Sequence, residues 1–175
     1  SNNNGITIAF WVNYQGTGQN AVFDFGNGAS NNNIKLTLGD AGSGVVNLIA
    51  MNGASATTVP YTWTGQTFSY TWTHIAWTIN GTTWTLYING SQVTTTSSGI
   101  YPNNLSRAFN YLCRSNNMVD AGFAGFIDDF RYYSRTLSAG DISSLYNNPI
   151  TYPTYIASWG VTGRMGITGL TSSTG

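Results

Sequence analysis

The chain has 175 residues, 41% hydrophobic and 14% aromatic, a composition that excludes a disordered segment and suits one folded domain. Only 7% are charged, against about 25% in ordinary soluble domains, and the six acidic residues, all Asp, are balanced by six Lys and Arg. Such a surface cannot neutralise many phosphates, which argues against nucleic acid as a partner, and no apolar run is long enough for membrane insertion.

The predicted elements are almost all strands. Ile6–Val12, Ala21–Phe25, Ile34–Leu38 and Val45–Met51 are rich in β-branched and aromatic residues, with Gly or Asn clusters between them. Ile75, Trp77 and Ile79 then alternate with His74, Ala76, Thr78 and Asn80, up to a hairpin signal at Asn80-Gly81. Trp84, Leu86 and Ile88 alternate in the same way up to Asn89-Gly90, and Gln92–Thr95 follows. This predicts a three-stranded meander with one apolar face on the core and a Thr-rich face in solvent. Arg107–Leu112 and Phe123–Tyr133 are two further strands. Leu137 to Ile142 reads as a capping box, with Ser138 and Asp141 as its reciprocal pair and Leu137 and Ile142 as the staple. The helix it opens is about two turns long, stops before Pro149 and should cap the sandwich.

Residues 1–149 therefore form one domain, and residues 150–175 differ in character. Glycines at 160, 163, 166 and 169 keep a period of three, which Ser172 interrupts before Gly175. This is either the start of a collagen-like Gly-X-Y stalk, which would make the chain a homotrimer, or a plain Gly/Thr linker. Cys113 stands alone, so no internal disulfide is possible. It reads as a small buried hydrophobe, with a reactive or interchain thiol as the alternative.

Five segments together resemble a known family. Ile6-Thr7-Ile8-Ala9-Phe10-Trp11-Val12 is similar to the opening strand of laminin-G-like, concanavalin A-like domains. Trp72-Thr73-His74-Ile75-Ala76 resembles their Trp-x-His strand, and Leu86-Tyr87-Ile88-Asn89-Gly90 the hairpin after it. Phe123 to Arg131 resembles the penultimate strand, and Tyr133 to Tyr146 the run into the short helix. The resemblance spans roughly residues 6–147, and it lacks the strand that usually precedes the Ile6 segment. It implies an all-β, antiparallel two-sheet jelly-roll sandwich with one short capping helix. Members of this group bind sugars or proteins, hydrolyse glucans or serve as structural modules, so the fold does not choose a function.

The chemistry-bearing residues narrow the choice. Glucanases of this superfamily use a Glu-rich cluster, and this chain has no Glu. Asp128 and Asp129 are the one adjacent acidic pair, and neighbours on a strand face opposite sides unless a bulge intervenes. One of them is expected to sit near Arg131 or Arg135. His74, the single histidine, is expected to play a structural hydrogen-bonding role. The resemblance to calcium-holding relatives makes Asn116 and Asp120 the candidate metal ligands, in a loop poor in carboxylates. For sugar, Trp11, Trp77 and Trp84 read as core, which leaves Tyr61 and Trp63 as the expected exposed contacts. These observations describe a non-catalytic adhesion or structural module of a fibre, spike, virion or cell surface. Its candidate partners are a glycan or a surface protein; the rival expectation is a purely architectural component, and the third, against which the absence of Glu counts, is a glycan-cleaving enzyme.

Overall fold

A computed structural model describes residues 5–39, 43–64, 66, 68–117 and 122–149. The Gly-X-Y series of residues 150–175 and Asp120 lie outside the described residues. Among the described residues ten strands and one helix follow in order: β1 (Ile6–Tyr14), β2 (Asn20–Gly26), β3 (Ile34–Leu38), β4 (Val45–Asn52), β5 (Ser55–Thr62), β6 (Trp72–Asn80), β7 (Thr83–Ile88), β8 (Ser91–Thr96), β9 (Phe109–Leu112), β10 (Gly125–Tyr133) and α1 (Ala139–Asn147). The first sheet runs β10-β1-β6-β7-β8 and the second β5-β4-β3-β2-β9. Every strand pair is antiparallel. This is the antiparallel two-sheet jelly-roll sandwich with one short helix that the family resemblance implies.

Period-two alternation builds the core. Ile8, Phe10 and Val12 of β1, Ile75, Trp77 and Ile79 of β6, and Trp84 and Leu86 of β7 face Phe23, Leu36, Leu38, Val46 and Leu48 of the second sheet. Fully burying each aliphatic side chain is worth about 1.5–3 kcal/mol. Phe10 meets Phe23 edge-on at 6.1 Å, and Trp77 meets Trp84 edge-on at 5.0 Å. The indole N–H of Trp84 donates to the Ile100 carbonyl at 2.9 Å, so that polar atom is buried with a partner.

The outer face of the meander departs from expectation. His74, Ala76 and Thr78 point away from the core yet are buried. Helix α1 lies on this side, where Leu137 and Ile142 join Ala9, Ala76 and Tyr87 in a second apolar cluster. The capping box is formed as predicted: Ser138 Oγ accepts the Asp141 N–H at 3.1 Å, and Asp141 Oδ2 accepts the Ser138 N–H at 3.0 Å. Strand alternation alone cannot distinguish a face under a helix from a face under water.

The turns also refine the expectation. Asn89 (φ 50°) and Gly90 (φ 77°) form the turn between β7 and β8, both left-handed as a type I′ turn requires. A Cβ on Gly90 would stand 3.0 Å from the Tyr146 ring, so a larger residue there would also press on the helix. In the other hairpin Asn80 pairs with Thr83, so the turn residues are Gly81 and Thr82 rather than Asn80 and Gly81. Strand β5, which contains Pro60, is an element the sequence pattern does not predict. It forms the edge of its sheet, where a missing N–H is tolerated. Cys113 is exposed rather than buried, just beyond edge strand β9, where the chain adopts φ 60°.

Candidate functional site

Outward-facing residues of β1, β6 and β10 meet beside the end of α1. On β1, Trp11 lies opposite His74 of β6 and Asp128 of β10, while Asn13 lies opposite Trp72 and Phe126. Two residues further along, Ala9 is opposite Arg131, so β10 uses three steps where β1 uses two. That extra residue is a β-bulge. Asp129 sits in it at φ 49°, a conformation costly for a side chain other than glycine. The bulge defeats the strict alternation expected of neighbours, and both Asp128 and Asp129 line one cleft. It holds about 260 Å³ and is walled by Trp11, Trp72, Asp128, Asp129 and Pro149.

Trp11 is not in the sandwich core, a correction to the sequence expectation, whereas Trp77 and Trp84 are. It is half-buried, stacked on Tyr146 of α1 at 5.5 Å with 24° between the rings, and tilted against His74 at 5.4 Å. Trp72 is 45% exposed.

The charges at the cleft are unequal in kind. Arg131 grips Asp129 with both prongs, Nε to Oδ1 and a terminal nitrogen to Oδ2, each at 2.5 Å. Of the two arginines that the sequence offers as partners, Arg131 and Arg135, Arg131 takes this Asp. The Asp129 side chain is 6% exposed. Its hydrogen bond to Arg131 pushes the guanidinium pKa up. Asp128 is exposed and accepts the Asp129 N–H at 2.7 Å.

His74 is 2% exposed. Burial lowers its pKa to about 4, with Asp129 opposing the shift and Arg131 adding to it. Its Nδ1 and the Trp11 Nε1 are buried without hydrogen-bond partners. The expected hydrogen bonding falls to the backbone: His74 N–H donates to Asn89 Oδ1 at 3.0 Å, and the His74 carbonyl accepts the Asn89 N–H at 2.8 Å.

The residues expected to bind sugar lie on the other sheet. Tyr61 is in β5 opposite Val46, half-buried against the core. Trp63, just past β5, leans on Phe68 at 5.5 Å and is also half-buried. The exposed aromatics among the described residues are instead Tyr70, Trp72, Phe109, Phe126 and Tyr132, of which Trp72 and Phe126 share the outer face with Trp11. Asn116 donates through Nδ2 to the carbonyls of Asp24 and Phe109, and through its backbone N–H to Asp24 Oδ2 at 2.8 Å. Asp24 is fully buried and also accepts from Asn33 and Ser115. Among the described residues no three His, Cys or carboxylate side chains gather as a metal cluster.

The sequence held a signal for the cleft. Trp11 is out of phase with Ile8, Phe10 and Val12, and Trp72 is in phase with His74 and out of phase with Ile75 and Trp77. Period two therefore places both indoles on the outer face.

Comparison with known proteins agrees with this architecture. A model described as the concanavalin A-like lectin/glucanases superfamily, of laminin G type, matches residues 1–143. No curated protein matches the sequence. Among solved structures, the chain is similar to the CBM40 of a Ruminococcus gnavus sialidase bound to alpha2,3 sialyllactose, with TM-score 0.68 and 15% identity over 82% of this chain and 83% of that one. It is also similar to the binding domain of botulinum neurotoxin serotype D, with TM-score 0.62 and 16% identity over 84% of this chain. The serotype G binding domain gives TM-score 0.59 and 20% identity over 82% of this chain. The chain spans 38% of the serotype D structure and 36% of the serotype G one. Identities this low speak to the fold, and the family match covers most of the sequence: the chain belongs to the concanavalin A-like lectin/glucanases superfamily.

Proposed function

We propose that this domain is a non-catalytic glycan-binding adhesion module of an extracellular or surface protein, and that Trp11, Trp72 and Asp128 make the contact. The observation that carries this reading is the cleft itself, where two indoles, one well exposed, line the same wall as the exposed carboxylate of Asp128. Indole faces stack on the apolar faces of pyranose rings, and a carboxylate accepts hydrogen bonds from hydroxyl groups. A few polar groups set in an apolar cleft are the usual make-up of a small-ligand site. The similar structures whose titles name a sialyllactose-bound module and toxin binding domains support a binding role. Glycoside hydrolysis is disfavoured, because it needs two working carboxylates. Asp129 has both oxygens tied to Arg131, and the chain has no Glu.

Tyr61 with Trp63 is the second candidate contact, and Asn116 with Asp120 the candidate calcium pair. One experiment separates them. The protein is displayed multivalently on a glycan array, in calcium and then in EDTA, beside Trp72→Ala and a Tyr61→Ala/Trp63→Ala double variant. The expected result is saturable binding in both buffers, weakened roughly tenfold or more by Trp72→Ala. Binding that tolerates Trp72→Ala and fails in the double variant would move the site to β5, and loss in EDTA would bring in the calcium pair. Absence of saturable binding would overturn the glycan reading in favour of an architectural role.

A further inference from the structure

The outer face holds more than the cleft. Trp72, Asn13 and Phe126 form a row across β6, β1 and β10. With strands about 4.8 Å apart, the two aromatic ends of the row stand roughly 10 Å from each other. Phe126 is 60% exposed and, among the described residues, makes no ring contact. Between the two, the Asn13 side-chain carbonyl accepts from Gln15 Nε2 at 3.2 Å, which leaves the Asn13 amide hydrogens to donate outward. The next row towards α1 carries His74, Trp11 and Asp128, so an acceptor stands beside a donor. Sugar hydroxyls both donate and accept, and they match such a pair.

The charge of this face is one-sided. Asp129 and Arg131 cancel, and Asp128 is left. The other cations among the described residues are engaged elsewhere: Lys35 with Ser115, Arg107 with the Asn32 carbonyl, Arg114 over Tyr111 and Arg135 with Asp141. A ligand carboxylate brought to the cleft would meet Asp128 with no free cation among the described residues to offset it, and like charges so placed discriminate against a partner.

From these placements we infer that the face takes an uncharged, hydroxyl-rich sugar chain laid across β6, β1 and β10, from the Trp11–Trp72 cleft to a second platform at Phe126, and that it turns acidic sugars away. This rests on the glycan reading above and gives that site its ligand class. It also separates the chain from the similar sialidase module, whose ligand is sialylated.

The test uses neoglycoproteins bearing lactose, 3′-sialyllactose, cellobiose, cellotetraose and oligogalacturonate, with the wild type, Trp72→Ala, Asp128→Asn and Phe126→Ala. All three side chains are exposed, and unchanged thermal melts confirm that the variants fold. Neutral probes are expected to bind roughly tenfold or more tighter than acidic ones, and Asp128→Asn to narrow that gap. Phe126→Ala is expected to weaken cellotetraose several-fold and leave cellobiose unchanged. Equal or tighter binding of the acidic probes that still requires Trp72 would overturn the charge inference while sparing the glycan reading. Cellotetraose binding indifferent to Phe126→Ala would overturn the second platform. Binding of no probe, or binding indifferent to Trp72→Ala, would overturn the glycan reading at this face as well.

Discussion

The outer faces of the two sheets obey the same alternation and end in opposite states. On the second sheet, outward side chains knit to one another and to loops. Thr37 Oγ1 accepts from Gln19 at 2.9 Å and from Asn47 at 3.2 Å. Asp24 gathers Asn33, Ser115 and the Asn116 N–H. On the first sheet a helix and aromatic rings lie over the strands, and His74 Nδ1 and Trp11 Nε1 are buried there without a protein partner, as Trp77 Nε1 is in the core. Buried polar atoms without partners cost free energy, and natural structures keep them mostly where something else is gained. The contrast places structural polar chemistry on one face and a strained, partly open aromatic surface on the other.

Removing the centre of the polar lattice should have the largest effect. Asp24→Ala leaves three donors facing a buried gap and is expected to destabilise the domain by about 3–5 kcal/mol, measured by urea denaturation at pH 7. A loss below about 1 kcal/mol would mean that the carboxylate does not organise that face.

The helix-covered face should reveal itself through pH. His74 has a folded-state pKa of about 4 against 6.5 for the free side chain. The unfolded chain therefore takes up the proton first. The contribution of neutral His74 is fully present above about pH 6.5 and shrinks as the pH falls towards 4, by about 3 kcal/mol in all. His74→Phe cannot take up that proton, so its stability should fall less between pH 7.5 and pH 4. Parallel loss in the two proteins would show that His74 is not the group responsible.

How far these faces were legible in the sequence depended on the range of the interaction. The inward triplets Ile75, Trp77, Ile79 and Trp84, Leu86, Ile88 mark the meander because strand periodicity is local. The Ser138–Asp141 box marks the helix start for the same reason. Strand β5 was hidden by Pro60 and by a Thr-rich composition, since its identity comes from pairing with β4. The bulge at Asp129 carries no glycine to announce it. Only the pairing of β1 with β10 reveals that Asp128 and Asp129 share a cleft. Trp11 and Trp72 were visible in phase. Taking large aromatics on strands as core residues hid Trp11, and nothing local says that a helix end will stack on its ring.

The cap that docks this helix is the mildest place to test whether the aromatic face depends on its cover. Ser138→Ala removes the Oγ acceptor of the Asp141 N–H and half of the capping box, a loss of about 1 kcal/mol, whereas Ser138→Gly should cost only a few tenths. The cap is separated from the cleft by the length of α1, so neither variant touches the walls directly. Ile142 anchors the same helix between Ala9 and Ala76, and Tyr146, four residues on, holds the Trp11 ring. If the cover and the cleft form one unit, Ser138→Ala should lower the melting temperature and loosen the Trp11–Tyr146 stack together, read as a shift in tryptophan fluorescence below the melt. A lowered melting temperature with unchanged fluorescence would mean that the stack is held by the end of the helix alone, and that the two faces differ in their own side chains rather than in what covers them.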